Sequence, residues 1–157
     1  MKHIEIIDNQ LLDEVSDQAK KSKRLRMNYN FHQSLDEKCH RMLNALEPGT
    51  EVPIHRHPTK DETMFILRGK VKIVTYKDNG EIIDFVILDH DNGLFGVNIP
   101  KNTWHTLICI EPAVMFESKE GPFVPHEEEG ILEVQMIESG SDAIWLLMYK
   151  VVQSPLN

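Results

Sequence analysis

Gly49-Thr50-Glu51-Val52-Pro53-Ile54-His55-Arg56-His57-Pro58-Thr59-Lys60-Asp61-Glu62, closed by Gly69, is the stretch whose reading decides the fold. Its two imidazoles lie two residues apart, and a carboxylate follows five residues beyond the second. On a β-strand, side chains two apart point to the same face. His55 and His57 therefore project side by side. Pro58 to Asp61 can form a short loop, and Glu62 then opens the returning strand facing the same way. Three ligands of mixed nitrogen and oxygen type on one surface suit Fe, Mn, Zn, Ni or Co.

The spacing resembles the first cupin motif, G-x5-H-x-H-x4-E-x6-G, and every fixed position of that motif is filled. The second cupin motif, roughly G-x5-P-x-G-x2-H-x3-N, is matched in part by the segment from Gly93 to His105. Pro100 and His105 are in place. Asn102 stands for the turn glycine, which it can replace because Asn also visits left-handed conformations. Gly93 lies one residue too far away, and Cys109 stands where the motif ends in Asn. The resemblance implies a site of His55, His57, Glu62 and His105 holding one divalent transition metal: Fe, Zn, Mn or Ni. A lone His-x-His pair on an exposed strand is common and carries no such meaning. The filled motif, with the Pro100 to His105 element following it, separates this chain from that case.

Composition sets the outer limits. The chain has 157 residues, 41% hydrophobic and 27% charged, enough for one domain with a sizeable core. Its net charge of −8 argues against a basic nucleic-acid-binding surface. No apolar run approaches the roughly 20 residues of a membrane helix, and the first residues lack the apolar core of a signal peptide. Cys39 and Cys109 stand at no metal-site spacing. Reduced thiols in a cytoplasmic protein are the expectation.

Residues 8 to 22 read as a helix. Asp8 or Asn9 can cap it, and Leu11, Leu12, Val15 and Ala19 form one apolar stripe. From about residue 39 the period shifts toward strands. Candidates are Cys39 to Leu46, Thr63 to Leu67 stopped by Arg68-Gly69, Lys70 to Tyr76, and Glu81 to Leu88. Leu94 to Ile99, Trp104 to Ile110 and Ala113 to Ser118 complete the set. Asp78-Asn79-Gly80 is the strongest local hairpin signal. Many short strands with regular turns indicate an antiparallel barrel or jelly roll, the all-β architecture that the cupin resemblance also implies. Gly121 to Gly130 reads as a loop, since Pro122 and Pro125 lack ladder donors. Ala143 to Val152 is apolar on all sides, so periodicity leaves helix and strand open. With Ser141-Asp142 as a possible cap, we read it as a short C-terminal helix. The expected organisation is a single cupin domain over 1–157. It has a helical N-terminal extension to about residue 38, a barrel over about 39–126, and a C-terminal segment over about 127–157.

A closer resemblance is to the WbuC-type cupin-fold metalloproteins, small bacterial proteins associated with polysaccharide (O-antigen) gene clusters. It is carried by Arg26-Met27-Asn28-Tyr29-Asn30-Phe31-His32, by His40 to Thr50, and by the block His55-Arg56-His57-Pro58 with Lys60-Asp61-Glu62. Trp104-His105-Thr106 and Glu117 to Phe123 add to it. No established reaction comes with the family.

A metal held by three imidazoles and a carboxylate keeps open positions for water, O2 or a substrate oxygen. From the resemblance and from strand alternation, Asn30, His32 and Arg41 are candidate substrate contacts. Arg41 could meet a carboxylate or phosphate, or form a surface ion pair. His32 could act as acid or base, or make a structural hydrogen bond. Glu117 is a candidate catalytic base if Met115, Glu117 and Lys119 face inward; if Val114, Phe116 and Ser118 do, it is solvated. Trp104 could wall the pocket or pack in the core. The implied function is a metal-dependent enzyme (an isomerase or epimerase, a lyase or an oxygenase) on a small polar substrate such as a carbohydrate or sugar nucleotide. The other reading is a non-catalytic, metal-dependent sugar or effector-binding module. Exposed barrel edges suggest a homodimer; no nucleic acid or membrane partner is expected.

Overall fold

The computed structural model describes residues 4–123, 131–139 and 144–152, and beyond residue 123 only Ile131 is described with its side chain. One helix, α1 (Asn9–Lys21), precedes the strands β1 (Arg26–Asn30), β2 (Cys39–Leu46), β3 (Ile54–His55) and β4 (Glu62–Tyr76). Then come β5 (Ile82–Asp89), β6 (Gly96–Ile99), β7 (Trp104–Glu120), β8 (Ile131–Ser139) and β9 (Ile144–Val152). The Asp8 carboxylate caps the helix by accepting from the Leu11 amide at 3.0 Å. The apolar stripe is buried at Leu12, Val15 and Ala19.

Two long strands, β4 and β7, run antiparallel from Glu62↔Lys119 to Tyr76↔Trp104 and organise everything else. The other edge of β4 pairs with β6 along its first half and with β5 along its second. The other edge of β7 pairs with β3 at His55↔His105 and with β2 from Leu46↔Ala113 to Cys39↔Glu120. The expected stop at Arg68-Gly69 does not occur. Instead β4 continues through register shifts between Ile66 and Val71, and β7 likewise runs unbroken where two strands were expected. Gly69 has φ +78, and a Cβ there would sit 2.0 Å from the Pro112 carbonyl oxygen. The glycine thus lets two backbones cross closely and bends the strand rather than ending it. At the Asp78-Asn79-Gly80 turn the Gly80 amide bonds to the Lys77 carbonyl at 2.9 Å, closing the expected hairpin.

The sheet extends beyond the expected barrel limits at both ends. β1 lies inside the stretch read as helical extension and pairs with β2 from Arg26↔Leu46 to Asn30↔Met42. β8 pairs with β3. The expected C-terminal helix is absent. Ile144–Val152 is strand β9, antiparallel to β8 from Ile131↔Val152 to Ser139↔Ile144. Its Ile, Trp, Tyr and Val content suits a strand, and β8 supplies the ladder partner that local sequence could not announce. The proposed loop beyond Phe123 and the Ser141-Asp142 cap lie outside the described residues.

Two apolar clusters sit on opposite sides of β2 and β7. Inside, Leu46, Met64, Ile66, Val71, Ile73, Leu88, Leu107 and Met115 belong to the barrel core. Outside, Leu12, Val15 and Ala19 of α1 cover Leu43, Ala45 and Val114, with Phe116 packed against them. Fully burying a Leu or Val contributes about 1.5–3 kcal/mol, so the helix is held by its stripe and shields one outer face.

Candidate metal centre

The ligand strands converge through backbone pairing. β3 lies against β7 so that His55 is opposite His105. Glu62 begins β4. The turn at Asn102, whose φ of +65 fulfils the left-handed expectation, donates its amide to the His57 carbonyl at 2.7 Å. The Lys101 amide bonds to Asp61 Oδ1 at 2.8 Å, so the second motif docks directly on the loop of the first.

His55, His57, Glu62 and His105 each offer one ligand atom, and these atoms lie within 4.8 Å of one another. The orienting partners, which the sequence could not supply, are backbone carbonyls. His55 Nδ1 donates to Pro53 O at 2.8 Å, and His105 Nδ1 donates to Thr103 O at 2.9 Å. A carbonyl only accepts, so in the neutral ring each Nε2 carries the lone pair. His105 Nε2 then faces Glu62 Oε2 at 3.1 Å. Two lone pairs at that distance repel unless a proton or a cation lies between them. Burial lowers the pKa of His105, disfavouring the proton. Among the described residues His57 Nε2 is buried with no hydrogen-bond partner, and it stands 3.8 Å from the same Glu62 oxygen. Burial also lowers His55 to about 4 and His57 to about 3. Three neutral imidazoles and a carboxylate with orphaned lone pairs form a donor set that fits a divalent transition metal.

Arg56, between the two histidines of the first motif, stacks over Trp104, with its guanidinium carbon 4.4 Å from the ring centroid. It also pairs with Asp78 Oδ1 at 3.3 Å, and that oxygen accepts from Trp104 Nε1 at 2.9 Å. Trp104 is thus a buried clamp behind the ligands rather than a pocket wall.

The cluster opens on a cavity of about 400 Å³. Glu117 lines it and is 7% exposed, so the inward alternative holds. Both faces of β7 are covered here: Phe116 packs toward the helix and Glu117 toward the metal cluster. Burial, with Glu62 nearby, pushes Glu117 up to about 7, against the opposing Lys119 charge. Lys119 Nζ lies 3.2 Å from Glu117 Oε1 and 3.8 Å from Glu62 Oε1, and Asn44 donates to Glu117 Oε2. Glu117 is therefore a buried carboxyl, raised above the ordinary carboxylate range, beside the candidate metal cluster.

The three expected substrate contacts stand elsewhere. Arg41 lies on the outer face of β2, exposed, with Nη2 3.1 Å from Glu37 Oε2. The physical reason is parity: Met42, Asn44 and Leu46 line the cavity, so Arg41 points away. His32 is buried, its Nδ1 lying 3.0 Å from Arg41 O and its ring stacked on His40 at 4.3 Å. It is a structural group. Asn30 is exposed and lies outside the cavity lining. The groups that do line it, and that sequence reasoning missed, are Arg24, Arg26, Asn28, Asn44 and Lys119. Parity with Glu117 was a signal for Lys119; the β1–β2 register was needed for the rest. Cys109 is buried in the core as expected, and burial pushes its thiol up to about 11.

Comparison with known proteins bears on the fold. The capsular polysaccharide assembling protein CapF from Staphylococcus aureus shares 26% identity over 62% of this chain and 27% of its own, with a TM-score of 0.50. A recombinant oxalate oxidase in complex with glycolate shares 14% identity over 66% of this chain and 55% of its own, with a TM-score of 0.52. A conserved protein of unknown function from Streptococcus pyogenes shares 16% identity over 79% of this chain and 93% of its own, with a TM-score of 0.51. The chain thus spans about a quarter of CapF and about half of the oxalate oxidase. No match to a curated protein is found. The architecture is the cupin fold. Residues 7–88, just over half of the chain, match the family described as a domain of unknown function, DUF6016, and the protein belongs to that family.

Proposed function

We propose that this protein is a metal-dependent cupin enzyme acting on a small polar substrate. His55, His57, Glu62 and His105 would hold one Fe, Zn, Mn or Ni ion. The observation that carries the reading is the orphaned donor set at the floor of a cavity, with a buried carboxyl beside it. When bound, the metal supplies Lewis-acid or, as iron, oxygen chemistry. The chain's own residues supply the rest. Glu117, whose carboxyl burial and the Glu62 charge push up to about 7, can take or return a proton at Oε1 or Oε2. Lys119 holds that carboxyl in place and offsets the charge that appears on it. The apolar wall of Met64, Leu107 and Ile131 limits water around the reacting groups.

A carbohydrate or sugar nucleotide in bacterial polysaccharide (O-antigen) biosynthesis is the substrate class we favour. The WbuC-type resemblance supports it, as does the likeness to CapF, a capsular polysaccharide assembling protein. A cytoplasmic protein with two reduced thiols is part of this reading. Separately, among the described residues no helix is long and apolar enough to cross a membrane. The functional unit proposed is a homodimer. Among the described residues β5 pairs only with β4 and exposes Ile82, Ile83 and Phe85, an edge that a second copy could cover. Light scattering at the mass of two chains is the expected result.

The decisive experiment is elemental analysis of protein purified without a polyhistidine tag, beside the His55→Ala/His57→Ala variant. One equivalent of a single metal, lost in the variant, is expected. Equal metal in both would overturn the ligand assignment. A metal-loaded protein that binds ligands but turns none of them over would favour the binding-module reading.

A further inference from the structure

The cavity has a second pole. Arg24 and Arg26 line it together with His55 and Glu62 of the metal cluster. Neither guanidinium has a carboxylate partner among the described residues, although the chain carries 25 acidic residues against 17 basic ones. Arg26 is half-buried, donates to the Glu51 carbonyl, and has its pKa lowered by burial and by the Arg24 charge. Two like charges are therefore held at one edge of a cavity without neutralisation. The backbone that holds them is a specific construction. Leu25, between them, has φ +54, an uncommon conformation for a branched residue. Three hydrogen bonds fix it: Leu25 N to Ser22 O at 3.0 Å, Glu47 N to Leu25 O at 2.9 Å, and Thr50 Oγ1 to Arg24 O at 2.7 Å. Strained backbone kept by its surroundings concentrates at ligand clamps. Next along β1, Asn28 also lines the cavity and is exposed, so its amide can meet a ligand hydroxyl.

We propose that Arg24 and Arg26 form an oxyanion subsite, so that the ligand of this cavity is a hydroxylated small molecule carrying a carboxylate or phosphate. The proposal rests on reading the cavity as the ligand site and narrows that ligand from polar to anionic. The planar guanidinium forks bind the oxyanion through charge-assisted hydrogen bonds, and the hydroxylated part extends over Asn28 toward the metal cluster. A neutral sugar offers the two guanidinium charges no counter-charge and binds more weakly.

The test is calorimetric titration of the metal-loaded full chain with inorganic phosphate, with glucuronate and with glucose at low ionic strength. At least one of the two anions is expected to bind about tenfold or more tighter than glucose, and to weaken with added salt. The tighter anion identifies the oxyanion. Arg24→Ala/Arg26→Ala is expected to weaken that binding by about tenfold to a hundredfold with metal content unchanged. Arg24→Ala alone, which leaves the Arg26 bond to Glu51 intact, guards against a folding defect and should show part of the loss. Arg26→Lys, which keeps the charge but not the fork, should fall between parent and alanine variant. Binding by the double variant equal to the parent, glucose as tight as glucuronate, or no binding of either anion overturns the subsite. The same titrations on metal-free protein separate the two readings. Arginine-dependent binding that survives there upholds the subsite even if the metal assignment fails. Binding that vanishes without metal and ignores the arginines places the anion on the metal and overturns the subsite.

Discussion

The floor and the wall of one cavity were not equally readable. The floor is the cluster on β3, β4 and β7; the wall is β1 and β2. Both are built from strands whose side chains alternate. On the floor, His55-Arg56-His57 announces its own phase, because Glu62 and the rest of the filled motif follow it and alternation puts both imidazoles on one face. On the wall, Arg41-Met42-Leu43-Asn44 offers a polar and an apolar residue to each side. Chemistry there does not reveal the phase: Arg41 could meet a ligand or form a surface ion pair, and the structure gives the ion pair, with Asn44 lining the cavity. Because a slip of one residue exchanges every side chain between faces, only the partner strands decide which of the two sets meets the cavity.

The largest break in that contrast comes from the floor. His105→Ala should lower metal affinity by at least about a hundredfold, since even losing a partner that only orients a ligand costs about 10–100-fold. Asn44→Ala, on the wall, should leave the metal content at parent level; elemental analysis reads both. Next in size, Glu117→Gln keeps the shape of the carboxyl but cannot exchange its proton. Turnover should fall by about 10²–10⁴-fold with the metal retained, once a substrate is found by the anion titrations. An unaffected rate would remove Glu117 from the chemistry.

Stability separates the two sides of β7. Leu12→Ala uncovers the outer face and should cost about 2–5 kcal/mol in urea unfolding, while the metal-to-protein ratio stays unchanged. A parallel loss of metal would mean that the helix side also sets the ligand geometry.

The pH dependence of metal-free protein carries opposed signs from the two buried group types. His55 and His57 have folded pKa values of about 4 and 3, below their ordinary 6.5, so the unfolded chain binds more protons in that interval. Their contribution is complete above pH 6.5 and is lost as the pH falls toward about 4 and below. Glu117 is raised from 4.5 to about 7, so its contribution is present below 4.5 and is lost as the pH rises through 7. Glu117→Gln should remove the alkaline-side decline and leave the acid-side one; urea midpoints across this range read the difference. The smallest effect is expected at Arg41→Ala, which removes only an exposed pair with Glu37 and should change neither anion affinity nor metal content.

Much of the fold was legible because its signals are local. Asp8 and the stripe of Leu12, Val15 and Ala19 specify α1, and Asn79-Gly80 specifies the β4–β5 turn. Asn102 takes the left-handed conformation its chemistry permits. His55, His57 and Glu62 follow from spacing, because a strand–loop–strand can set Glu62 beside the histidines, whereas His105 is what the cupin resemblance implies. Gly69 misled because a glycine at φ +78 serves a chain end and a close crossing equally well. Only Pro112, 43 residues away, distinguishes them.

Sequence alone therefore determined the helix, the principal turns and the grouping of His55, His57 and Glu62, all products of interactions within a few residues, while the resemblance added His105. Tertiary structure decided what lies far apart in the chain. It made Ile144–Val152 a strand, because β8 offers it a ladder. It turned Glu117 inward, because α1 covers Phe116 on the other face and frees β7 to be buried on both sides. It also brought Arg24 and Arg26 to the metal cavity through the pairing of β1 with β2. Alternation specifies which residues share a face; only the partner strand specifies what that face meets.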